Sequence, residues 1–182
     1  VASSGPKVIE IAARKADRVD LQVGASAARI DWALEIARKV RREERLDELR
    51  ASAYINMIVN EDSEKAWRMA AGAITSQSRF SAMHGEVIGP TSKATADTLT
   101  KIHSAYDMKR HGQHDPGLIT SEFAHEFGIY GSPAYCIDRL SELVELGIDR
   151  FIMAGGPELA HPDSEVVKLA ERFVEDVLPH FK

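Results

Sequence analysis

A chain of 182 residues with 44% apolar and 28% charged residues is long enough, and ordinary enough in composition, for one globular domain with a real core. Its net charge of −5 argues against a nucleic-acid partner, and no apolar run reaches the ~20 residues of a membrane span. Cys136 is the lone cysteine, which excludes an intrachain disulfide and suits a reducing, cytoplasmic compartment.

The first residues, Val1-Ala2-Ser3-Ser4-Gly5-Pro6-Lys7, read as the end of a strand, a small-residue loop and the first turn of a helix. Pro6 suits the first helical position, where its missing N–H loses nothing. Gly5 lets a ligand approach the backbone, and the helix start offers free N–H groups to a phosphate. A strand ending at residue 3 lacks its beginning, so the expectation is a chain forming the back part of a larger protein. Residues 7–17 carry a helical apolar stripe, and residues 18–23 alternate as a strand does. Gly24-Ala25-Ser26 turns the chain into a helix over 27–44, with Ile30, Ala33, Leu34, Ala37 and Val40 on one face. The basic run Arg38-Lys39-Val40-Arg41-Arg42 is followed by Glu43-Glu44 and reads as a mixed, solvated helix face. Residues 51–59 end in a near-continuous apolar run, the mark of a strand buried on both faces. Asp62 or Ser63 caps a helix running to about residue 82.

Residues 83–131 break this rhythm and are read as an insertion within a single domain spanning 1–182. The expectation is a helix near 92–110, a loop through His111–Gly117 and a short helix near 120–127. Ser132-Pro133 opens a helix that runs through Leu146 and stops at Gly147. Residues 150–154 form a strand, Gly155-Gly156-Pro157 turns it, and Asp163 or Ser164 caps a last helix ending near Leu178-Pro179. Strands alternating with helices require a parallel sheet with right-handed crossovers. Such units make a small open sheet or half of an eight-fold barrel, and a whole barrel of about 250 residues does not fit.

Other features invite chemistry less well. His103, His111, His114 and Asp115 cluster without a His-Glu-x-x-His pattern, and they read as solvent-facing or substrate-facing groups, with no metal expected. Cys136 sits mid-helix with no paired histidine and is not read as a nucleophile. Trp32 and Trp67 fall at helix positions that suit packing. Gly155-Gly156-Pro157 competes with Ser3–Pro6 as the phosphate loop.

Two segments carry a resemblance. Ala2-Ser3-Ser4-Gly5-Pro6-Lys7, with Ile9-Glu10-Ile11-Ala12-Ala13 and Ala16-Asp17-Arg18-Val19, resembles the middle of the luciferase-like flavin and deazaflavin oxidoreductases. Phe127-Gly128-Ile129-Tyr130-Gly131-Ser132-Pro133 to Leu146-Gly147-Ile148-Asp149-Arg150-Phe151 resembles that family's C-terminal signature. The resemblance implies an α/β fold, a TIM (β/α)8 barrel of the luciferase-like type with only about strands five to eight in this chain. It implies an oxidoreductase or monooxygenase using coenzyme F-420 (8-hydroxy-5-deazaflavin), with FMN as the alternative. It assigns Ser3, Ser4, Gly5, Pro6 and Lys7 to the cofactor phosphate, with Gly24 and Ala25 at the same barrel end. His84 and Tyr106 from the insertion are candidates for the substrate pocket. Groups that contact the ring lie largely on barrel strands absent here, so catalytic residues are left unassigned. The implied partners are a small-molecule substrate and either the missing N-terminal barrel half or a second copy of the chain, in a homo-oligomer. The competing expectations are a non-catalytic half-barrel that associates with a partner, or a small α/β domain binding a phosphorylated metabolite.

Overall fold

Strand β3 (Arg50–Val59) is the axis of a parallel sheet in the computed structural model, which describes residues 1–107, 109, 117–154 and 165–181. Strand β2 (Arg18–Leu21) pairs with Arg50–Ala53 of β3, and β5 (Arg150–Met153) pairs with Ser52–Ile55. Ser52 and Ala53 are common to both ladders, so β2 and β5 lie on opposite edges of β3. Strand β1 (Ala2–Ser3) adds to β2 in the register Ser3 to Leu21. The second half of β3, Asn56–Val59, pairs with β4 (Gly128–Gly131).

Helix α1 (Pro6–Lys15) begins at an extended Gly5 with Pro6 in its first turn, and Arg14 and Lys15 close it where the helix dipole favours cations. Helix α2 (Ala27–Glu44) buries Ile30, Ala33, Leu34, Ala37 and Val40. Alternate β3 residues Ala51, Ala53, Ile55 and Val59 join that stripe and Ile9, Ala12 and Ala13 of α1 in one core. Helix α6 (Pro133–Glu145) completes this layer with Cys136, Leu140 and Leu143. A second core forms under α3 (Ser63–Ser78), α4 (Lys93–Ala105) and α5 (Ser121–Phe127), from Trp67, Ile74, Leu99, Ile102, Phe123 and Tyr130 among others. The caps are side-chain oxygens accepting from the first turn: Asp62 from Lys65 N–H, Ser92 from Thr95, Thr120 from Phe123 and Ser132 from Tyr135.

Several boundaries shift. Helix α1 ends at Lys15 rather than residue 17, β2 at Leu21 rather than residue 23, and α4 at Ala105 rather than near 110. The sixteen-residue α3 passes into a 3-10 turn, Arg79–Ala82. Strand β4 has no period-two signal, because two of its four residues are glycine. Both glycines sit where a Cβ would collide with an aromatic side chain: one at Gly128 would run into the Tyr130 ring and hydroxyl, and one at Gly131 would lie 2.7 Å from the Tyr135 ring. After β5, helix α7 (Glu165–Arg172) widens into a π-turn at Phe173–Val177 and tightens at Leu178–Phe181. The His111, His114 and Asp115 cluster, the Gly155-Gly156-Pro157 turn and the Asp163 or Ser164 cap fall outside the described residues.

Candidate functional site

The loops after β1 and β2 lie side by side at the C-terminal end of the sheet, because Ser3 and Leu21 are in register and Gln22 N–H donates to the Ser3 carbonyl at 2.8 Å. In the first loop, the Gly5 carbonyl accepts from the amides of Val8 and Ile9 at 3.1 and 3.0 Å. The amides of Gly5 and Lys7 find no acceptor among the described residues, and no side chain caps α1. Two donors at the positive end of a ten-residue helix are thus left without protein partners among the described residues. Ser3 is buried and its hydroxyl turns back to the Val1 carbonyl at 3.4 Å, whereas Ser4, Gly5 and Pro6 are partly open and Lys7 is exposed. Ile88 from the segment after α3 stands over Gly5, with its Cδ1 3.3 Å from where a Cβ would be.

The second loop is built more tightly. Gly24 has φ of +107°, and a Cβ there would lie 2.9 Å from the Glu126 carbonyl oxygen. That carbonyl accepts from the amides of Ala25 and Ser26 at 2.9 and 3.1 Å. The Ala25 carbonyl accepts from Arg139 at 2.8 Å, so both polar backbone groups of Ala25 are engaged inside the chain.

One side chain ties these pieces together. Arg29, in the first turn of α2, is 1% exposed. It donates to the carbonyls of Val23, Pro90 and Ile88 and to the Ser81 hydroxyl, the last at 2.7 Å. Its charge meets Glu126 at 3.6 Å, and its guanidinium lies 5.0 Å above the Phe127 ring. Glu126 also accepts from Thr91 at 2.6 Å. Arg29 thus holds the 81–91 segment, and Ile88 within it, against the two loops. The sequence reading passed over this residue. Its signal was placement: Arg29 stands four residues before Ala33 and eight before Ala37, on the buried stripe of α2.

An adjoining cleft of about 510 Å3 is bordered by Ser26, Thr91, His125, Tyr135 and Arg139. Ser63 donates its hydroxyl proton to the Tyr130 carbonyl at 2.9 Å, so it accepts from His125 Nε2–H at 3.1 Å. Nδ1 of the neutral ring then accepts from the Tyr135 hydroxyl at 3.1 Å. Burial, helped by Arg139, holds His125 below the ordinary histidine range, in keeping with that neutral form. Burial likewise raises Tyr135, with Arg139 opposing it.

His84 and Tyr106 are less closely tied to the loops. His84 is exposed in the turn after the 3-10 segment, and Tyr106 packs on the second core with the Arg79 guanidinium 4.6 Å above its ring. Ile88 is the residue from this region that reaches Gly5. Among the described residues no group of His, Cys, Asp and Glu side chains has the arrangement of a metal site.

A family model of luciferase-like monooxygenases matches residues 1–150. The chain belongs to the luciferase-like monooxygenase family. Solved structures agree on the fold. A coenzyme F-420-dependent tetrahydromethanopterin reductase from Methanopyrus kandleri superposes with a TM-score of 0.70 at 19% identity, over 100% of this chain and 50% of the reductase. A coenzyme F-420-dependent secondary alcohol dehydrogenase, solved with a coenzyme–acetone adduct, gives 0.63 at 15% identity, over 100% of this chain and 48% of that one. A long-chain alkane monooxygenase gives 0.54 at 19% identity, over 98% and 39%. No curated protein sequence matches. This luciferase-like chain spans about half the length of the reductase and dehydrogenase chains, and its sheet is part of a barrel of their type.

Proposed function

We propose that this chain forms the phosphate-holding, C-terminal part of a luciferase-like oxidoreductase that uses coenzyme F-420, with FMN as the alternative. The observation that carries this reading is the uncapped start of α1, where the Gly5 and Lys7 amides lack protein acceptors beside the C-terminal ends of parallel strands. The donor set fits a phosphate, since it offers N–H groups and a lysine but no carboxylate. When bound, the deazaflavin ring supplies hydride transfer, whereas a flavin also permits oxygen activation.

In this reading Gly5 and Lys7 bind the phosphate with Ser4, on a turn shaped by Ser3 and Pro6. Gly24 and Ala25 keep the neighbouring loop low enough to leave room. Ile88, held by Arg29, excludes water from one side of the cradle. Residues 83–131 act as an insertion within one domain, and His84 and Tyr106 border the substrate pocket. Groups facing the ring come from the remaining part of the barrel. No helix among the described residues is long and apolar enough to cross a membrane. The lone, buried Cys136 supports a cytoplasmic setting.

The test is fluorescence titration of coenzyme F-420 and of FMN into the chain joined with the rest of its barrel. Binding weakened about tenfold or more by Gly5→Val supports the phosphate cradle. Loss of neither affinity, or affinity for neither coenzyme, removes the reading.

A second reading, a non-catalytic half-barrel paired with another copy, draws on the sheet edges. Strand β1 pairs only with β2, and β5 only with β3, among the described residues. Such open edges recruit other strands. Native mass spectrometry of the chain alone decides it, since a clean monomer at high concentration excludes self-pairing.

A further inference from the structure

Three arginines of α2, with Arg45 just past its end, line one side of a groove. Arg38, Arg41, Arg42 and Arg45 recur at the spacing of one helical stripe and border a groove of about 480 Å3 at the N-terminal ends of β2 and β3. The groove has a ligand-sized volume. Its floor includes Leu34, Leu46 and Leu49, and Glu48 is its one acidic border residue among the described residues. Two of the arginines are occupied: Arg38 by Glu35 at 3.2 Å and the Leu146 carbonyl at 2.6 Å, and Arg42 by Glu35 at 3.5 Å. The other two have capacity to spare. Arg41 donates one amino group to the Ala16 carbonyl and forms no ion pair among the described residues, although its Nε is closed to solvent. Arg45 forms no ion pair among them. Arg45 also has φ of +55°, the only positive φ recorded for a described residue other than glycine. Glycine or asparagine is usual at this helix-ending position, and a long cationic side chain there runs against the backbone's preference.

We propose that this groove binds an anionic amphiphile, a fatty carboxylate whose head group meets Arg41 and Arg45 and whose chain lies on the leucine floor. The guanidinium fork matches a carboxylate in plane and in donor spacing. A free inorganic anion would leave the floor wetted, and a neutral lipid would leave Arg41 and Arg45 without a counter-charge. The bordering residues lie at the end of the sheet opposite Gly5 and Gly24. The site is therefore independent of the coenzyme reading.

Dodecanoate, dodecanol and inorganic phosphate are titrated calorimetrically into the chain joined with the rest of its barrel, with both amphiphiles kept below their aggregation limits. The expected result is saturable one-to-one binding of dodecanoate, about tenfold or more tighter than either comparison ligand. Arg45→Gln and Arg41→Gln should each weaken it by about tenfold while circular dichroism stays unchanged. If Arg41→Gln unfolds the protein, Arg45→Gln carries the test from its exposed helix end. No binding, equal affinity for dodecanol or for phosphate, or undiminished binding in Arg45→Gln overturns the proposal.

Discussion

Arg29 and Glu126 meet at 3.6 Å in the interior, with 1% and 14% of their side chains exposed. Burial pushes the guanidinium below its ordinary value and Glu126 pushes back, yet an arginine keeps its charge. Three carbonyls and a hydroxyl share that charge, so the side chain is a structural pin under the 81–91 segment. Replacing it strands all of its partners at once.

Arg29→Met should therefore cost about 3–5 kcal/mol, the scale for breaking a buried pair from one side. Urea denaturation measures the loss. Limited proteolysis should cut first between residues 81 and 91. Adding Glu126→Gln should recover part of the loss, because it removes the stranded carboxylate. A variant as stable as the parent would show that the pin carries no load.

The two loop glycines should respond in opposite ways. Gly24→Ala places a Cβ 2.9 Å from a backbone oxygen at φ of +107°, and its cost should be about 2 kcal/mol or more. Gly5→Ala meets only the flexible end of Ile88 at 3.3 Å, and it should lower stability by less than about 1 kcal/mol. Its effect should fall on coenzyme affinity instead. Parallel denaturation and binding curves separate the two.

Stability should fall on acidification through His125. Its folded-state value lies below the reference of 6.5, so the unfolded chain takes up the proton first. The contribution is complete above the unfolded value, declines below about pH 6.5 and levels off once pH has passed the folded value. Asp149, held low by Arg18, behaves alike in a separate window below 3.8. Denaturation midpoints at several pH values test this, and His125→Gln should flatten the upper window alone.

Arg45→Gly should stabilise the chain by about 0.5–1 kcal/mol, because glycine accepts the left-handed conformation without the Cβ penalty. For a chain of this size that is a rise of about 1–4 °C in melting temperature. The same variant should lose dodecanoate binding, so stability and affinity move in opposite directions.

Cys136 is buried, its thiol is pushed up to about 12 mainly by burial, and it donates to the Gly131 carbonyl. A thiol reagent should leave the native protein unmodified and react stoichiometrically in urea. Rapid labelling under native conditions would show that α6 opens locally.

The helices and long strands were legible because their causes are local. The stripe of α2 and the Ser132-Pro133 start of α6 each lie within a few residues of one another. The phosphate-loop candidate was legible for the same reason. What escaped is made by distant contacts: β4 depends on Asn56–Val59, 72 residues earlier in the chain, and the Arg29 pin draws on three separate segments. The arginine groove escaped because the run from Arg38 to Glu44 shows mixed charge, not what its arginine stripe is laid against.

The double pairing of Ser52 and Ala53 has a consequence for the chain as it is made. Their second neighbour, β5, emerges from the ribosome about a hundred residues later, roughly 5–20 s at ordinary synthesis rates. Until then one edge of the central strand has no mate, and the whole span from α3 to α6 must be made in the interval. The second core can assemble during that wait and keep the nascent edge from finding strands in neighbouring chains.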